Sequence, residues 1–117
     1  MTQNSEIELK KINIQIGCVL RLSRLTKGLS QHILSGLIPL DSTMIGRIER
    51  AENFSSWEKI YILSQYFYID LNTLTKLKTK VELLEIVEQS LKLETKLTDK
   101  KRAYYAQLKT NISTLFI

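Results

Sequence analysis

No glycine or proline follows Gly46, which leaves about seventy consecutive residues without a strong breaker of helix. Leu, Ile, Lys, Glu and Gln dominate that stretch, as expected of helix. No long run of β-branched and aromatic residues alternates between turn residues, so strands lack support. Ile12, Ile14 and Ile16 do alternate, and taken alone they also fit a short strand. Ile16, Leu20 and the residues after them take up helical spacing, so the segment reads as the start of a helix. The expected fold class is all-α.

Composition narrows the function classes. With 44% hydrophobic and 25% charged residues, the chain is globular in type. The single cysteine, Cys18, excludes an intramolecular disulfide and a zinc site built from several thiolates. One cysteine, one histidine (His32) and no glycine-rich phosphate loop or metal-ligand spacing give little material for catalysis. No enzyme, metal or cofactor is expected. The first eleven residues carry acids and lack an apolar core, so a signal peptide is not expected. No stretch approaches the roughly 18 consecutive apolar residues that would span a bilayer. These features lead to the expectation of a cytoplasmic protein that does not enter membranes.

Helix boundaries follow from local chemistry. A first helix is expected over about Asn13–Thr26, closed by Gly28 as a left-handed cap. Ser30 suits the N-cap of a short helix over Gln31–Leu37. Pro39 cannot continue that helix and marks a tight turn at Leu37-Ile38-Pro39-Leu40. Asp41 caps a third helix, about Ser42–Arg50, with Met44, Ile45 and Ile48 inward. After a loop over Ala51–Ser55, Ser56 caps a fourth helix through Phe67, with Ile60, Leu63 and Phe67 as its core stripe. Asp70 or Asn72 caps a fifth turn around Leu74 and Leu77. The chain thus divides into an N-terminal arm (1–12), a five-helix unit (13–77) and a tail (78–117).

In the tail, Leu77, Leu84 and Leu91 recur every seven residues, and Thr98, Tyr105 and Ile112 continue the register. The companion positions include Val87, Leu108 and Leu115. A sustained heptad implies a coiled coil. The polar middle, Glu94–Arg102, with Thr98 or Asp99 able to cap a new helix, allows a helical hairpin instead. Leu77, Leu84, Val87, Leu91, Tyr105, Leu108, Ile112 and Leu115 are the expected homodimer interface.

Two short helices joined by a tight turn, the second polar on its outer face, form a helix-turn-helix pattern. The run Gly28-Leu29-Ser30-Gln31, then Leu34, Ile38-Pro39-Leu40 and Ile45-Gly46-Arg47-Ile48-Glu49-Arg50-Ala51, carries a specific resemblance. Trp57, Ile60, Leu63, Phe67, Ile69-Asp70-Leu71 and Leu74 follow without a gap. Over roughly residues 13–77 the chain resembles the Cro/phage-repressor type of helix-turn-helix protein, the xenobiotic-response-element family. It departs from that pattern at Pro39, where the family usually has a turn glycine. Ala51 replaces the glycine that usually ends helix three, and Ser55 replaces a common proline.

The resemblance implies a lambda-repressor-like domain whose third helix enters the DNA major groove while the second crosses the backbone. The outward residues at the start of helix three are Asp41, Ser42, Thr43 and, one turn on, Gly46 and Arg47. These are the candidate base readers. Ser42 and Thr43 can donate or accept, and the Arg47 guanidinium fits guanine O6 and N7, or a phosphate. Gln31, Ser30, Lys27 and Asn53 are candidate phosphate contacts. Arg24 and Glu49 match a pair that in this family bridges helices one and three, a structural role. Cys18, among Ile16, Val19 and Leu22, reads as a core residue, and His32 as a surface one. Trp57, Tyr61, Tyr66, Phe67 and Tyr68 read as core aromatics with tyrosine hydroxyls outward.

Charge qualifies the DNA reading. The net charge is +5, but residues 1–77 hold nine cations against seven acids, a net of only +2. Cation–phosphate contacts dominate non-specific affinity, so a single copy is expected to bind weakly. Dimerisation through the tail would join two readers on an inverted repeat. The expected function is a sequence-specific transcription regulator of double-stranded DNA, acting as a dimeric repressor. A protein-interaction module, or an antitoxin binding a partner protein through the tail, is the alternative.

Overall fold

The computed structural model describes residues 3–117, which form seven α-helices and no strand. In chain order they are α1 (Gln3–Thr26), α2 (Gln31–Ser35), α3 (Ser42–Glu49), α4 (Trp57–Tyr66), α5 (Leu71–Thr75), α6 (Lys80–Leu93) and α7 (Asp99–Leu115). Four starts are capped by side chains: Ser30, Asp41, Thr79 and Thr98 each accept from the backbone N–H three residues on. At Thr79 the bond is reciprocal, because the Glu82 carboxylate accepts from Thr79 N–H, making a capping box. Ser56 and Asp70 stand at N-caps without making a side-chain bond.

Three helices end alike. After α1, Gly28 N–H donates to Leu25 O and Leu29 N–H to Arg24 O, with Gly28 at φ +70°. This is the Schellman arrangement, which places its C′ residue in the left-handed region. After α3 the same two bonds run from Ala51 and Glu52, and after α4 from Tyr68 and Ile69. Ala51 (φ 53°) and Tyr68 (φ 55°) thus hold a conformation that glycine adopts without strain.

α1 begins ten residues earlier than its spacing predicts, so Gln3–Ile12 are helix rather than an arm; Met1 and Thr2 lie outside the described residues. The extension meets the other end of the chain at Lys11, whose ammonium sits 5.7 Å from the centre of the Phe116 ring. α1 is buried on two faces. Ile16 and Leu20 join Leu34, Ile45, Ile48, Ile60, Leu63, Phe67 and Leu74 in one core. Cys18, with Ile14 beside it, joins Leu83, Val87, Tyr105, Leu108, Ile112 and Phe116 in a second.

Two polar or small residues of α1 set the packing. A Cβ placed on Gly17 would fall 2.5 Å from Glu49 O and 2.8 Å from Ile48 O, so glycine alone lets α1 meet the α3 backbone this closely. The fully buried Gln15 donates through Nε2 to Leu74 O (3.0 Å) and Lys76 O (2.8 Å) and accepts from Lys78 N–H (2.8 Å). It thereby fixes the connection between α5 and α6.

The tail is a helical hairpin, broken at Glu94–Thr98 and folded against α1. This corrects the expected dimer seam. Val87, Tyr105, Leu108 and Ile112 are buried inside their own chain, and Leu84, Leu91 and Leu115 pack against the same core. Leu77 is partly exposed in the α5–α6 connection. The heptad spacing is real, but α1 and the facing helix of the hairpin satisfy it. Among the described residues no helix is long and apolar enough to cross a membrane.

Candidate nucleic-acid interface

α3 is held from beneath. Ile45 and Ile48 are buried, and Met44 is half-buried against the same core. Glu49, at the end of α3, carries a buried carboxylate that gathers four hydrogen bonds. Arg24 donates through Nε to Oε2 (2.6 Å) and through Nη2 to Oε1 (3.0 Å). Arg21 Nε (3.3 Å) and Gln31 Nε2 (3.1 Å) also donate to Oε1. The Arg24–Glu49 pair therefore bridges α1 and α3, and Arg21 makes it a triad. Two guanidiniums share one carboxylate, so the buried cluster carries a net positive charge.

Arg21 escaped the sequence reading, although its spacing from Arg24 places both on one helix face. The hairpin covers this cluster. Arg21 Cζ lies 4.3 Å from the Tyr104 ring centre and 5.4 Å from that of Tyr105. Tyr104 OH reaches Glu49 O at 3.5 Å, at the edge of hydrogen-bond distance. Nearby, burial pushes the Cys18 thiol up to about 12, which leaves it protonated and inert at neutral pH.

The candidate base readers fall into two groups. Thr43 and Arg47 are exposed, one turn apart on the outer face of α3, and Ser42 is half-buried beside them. Among the described residues, no hydrogen bond or ion pair engages the Arg47 side chain. Asp41 is exposed, but its Oδ1 accepts from Met44 N–H (2.8 Å), so it works as a cap. Gly46 is buried, not outward. A Cβ there would fall 2.8 Å from Arg50 Nη1 and 3.3 Å from Gln31 Oε1. It lies beneath those two side chains and presents no edge of its own.

The candidate phosphate contacts diverge as well. Gln31, the first candidate phosphate contact, donates through Nε2 to the buried Glu49 carboxylate at 3.1 Å. Ser30 is exposed, with its Oγ accepting from Ile33 N–H (3.0 Å). The exposed Lys27 holds its ammonium 5.6 Å from the Tyr66 ring centre. Asn53 is exposed, and its carbonyl accepts from Asn13 Nδ2 (3.3 Å), which ties the loop after α3 to α1.

The aromatic residues after that loop differ from expectation. Phe67 is buried and Tyr66 half-buried, but Trp57 is 73% and Tyr68 91% exposed, with Phe54 and Tyr61 also at the surface. Their spacing matches a helix stripe, yet the core is filled by Ile60, Leu63 and Phe67, with Tyr66 packed against it. Comparison with protein-family models, curated proteins and solved structures finds no match to this chain.

Proposed function

We propose that this chain is a sequence-specific reader of double-stranded DNA and a transcription regulator, with α3 in the major groove. The observation that carries the reading is the outer face of α3. Thr43 and Arg47 stand free one turn apart on a helix whose other side is locked by apolar packing and the Glu49 triad. A rigid helix with a free hydroxyl and a free guanidinium suits base edges, where an arginine fork discriminates by roughly 1–3 kcal/mol. The motif resemblance from Gly28 to Ala51 supports the same placement. Occupying a promoter would exclude polymerase, which makes repression the natural mode of action.

Selection of random duplex DNA by the purified protein, followed by sequencing, tests this. An enriched motif that Thr43→Ala plus Arg47→Ala abolishes would establish the reading. An inverted repeat would mean two copies per site, meeting through a surface other than the buried heptad positions. No enrichment by folded protein at low salt would refute the reading. The exposed Phe54, Trp57, Tyr61 and Tyr68 favour the second reading, a module that binds a partner protein. That reading predicts partner binding unchanged by the α3 substitutions.

A further inference from the structure

Between the start of α2 and the turn of the α6–α7 hairpin lies an open cleft of about 530 Å³. Its charged lining is lopsided. Arg21 and Arg24, each only 7% exposed, line it together with Arg50, Lys100 and Lys101. Three carboxylates answer these five cations: Glu49 between Arg21 and Arg24, Glu52 on Arg50 and Glu94 on Lys101. Two positive charges are left over, one in the buried triad and one on Lys100. Glu94 also accepts from Tyr105 OH at 2.6 Å, so both its oxygens already hold donors, and Lys101 offsets its charge.

The rest of the lining is mixed. Ser30, Thr95 and Thr98 supply hydroxyls, whereas Leu25, Leu29, Ile33 and Leu93 supply apolar wall. The volume falls within the range of small-molecule sites and exceeds what one inorganic anion fills. Two uncompensated cations suit a dianion, and a phosphate monoester carries close to two negative charges at neutral pH. Guanidinium groups held rigidly by a carboxylate and aromatic rings are preorganised for phosphate oxygens.

We propose that this cleft binds a phosphate group carried on an apolar or aromatic body. The phosphate lies toward Arg21, Arg50 and Lys100, and the body lies against the leucine wall. Ser30 stands in the same lining, so a phosphate of the DNA backbone is a second source of the same chemistry.

Phenyl phosphate is the probe, titrated against the full chain and followed by thermal melting and by amide shifts in NMR. Saturable binding is expected, with phenol at equal concentration giving none. Lys100→Gln with Arg50→Gln, both exposed positions, should weaken binding about tenfold or more without lowering the melting temperature of the free protein. The DNA arm measures how duplex affinity falls with salt for the same variant. A slope reduced by about one unit, with no phenyl phosphate binding, would assign the site to a backbone phosphate. The absence of both responses would overturn the proposal. Phenyl phosphate binding by a chain that enriches no DNA would leave this site standing and remove the proposed function instead.

Discussion

Replacing Glu49 by Gln tests whether the buried triad holds α1 to α3. The substitution keeps the shape of the side chain and removes its charge. The native carboxylate is 2% exposed and receives the four hydrogen bonds from Arg24, Arg21 and Gln31. Without it, two guanidiniums with side chains 8% exposed face each other with no counter-charge. Breaking a buried pair by removing one partner costs about 3–5 kcal/mol. At about 2.1 cal/mol/K per residue, a chain of 117 residues unfolds with an entropy of about 0.25 kcal/mol/K. The expected fall in Tm is therefore about 12–20 °C, read by circular dichroism at neutral pH. Arg21→Gln should cost much less, because it leaves Arg24 and Glu49 as a neutral pair. A loss below about 4 °C for Glu49→Gln would refute the reasoning, as would an equal loss for Arg21→Gln.

Ala51→Gly should stabilise the protein by about 0.5–1 kcal/mol in a denaturant titration, since it relieves a left-handed residue in the α3 cap and repays part of that gain as chain entropy. Gly17→Ala should destabilise by about 1–3 kcal/mol despite the better helix propensity of alanine, because the new Cβ meets backbone oxygens that cannot turn aside. A neutral result in the same titration would mean that the helices separate freely. Cys18 should resist a thiol reagent in native protein at pH 8 and react once the chain is unfolded in denaturant, given its burial and its raised thiol pKa. Rapid labelling of native protein would show that the second core opens readily.

Local chemistry was legible in the sequence where its partners lie within one turn. Ser30, Asp41 and Thr98 were readable as caps because the N–H groups they accept from are three residues away. The alternation of Ile12, Ile14 and Ile16 was ambiguous for a physical reason. Alternate residues of a helix point to opposite sides, and α1 buries both, so strand-like spacing is what a two-faced helix shows. The heptads of the tail specify an apolar seam but not the identity of the helix that fills it. Here that helix is α1 of the same chain. Gln15 and Gly17 could not be read at all, since their roles depend on backbone atoms about thirty to sixty residues away that only the crossing of helices brings near. On α3, Thr43 and Gly46 looked alike as outward positions. Arg50 and Gln31, folding over Gly46, separate them.

The sharing of α1 between two cores has a consequence for cooperativity. The change of character near residue 78 marks a seam in composition, but α1 spans it energetically. A protein cut after Leu77 would lose the Lys78 N–H that Gln15 accepts from and would bare Cys18 and its neighbours to water. Such a fragment should unfold well below the melting temperature of the whole, and in the intact chain α1 and α6 amides should exchange with one common opening energy. A substitution in the hairpin core would then alter α3 at a distance, by loosening the helix on which Glu49 is anchored. The hairpin is in that sense part of the support of α3, and exchanging it for another would require redesigning α1 as well.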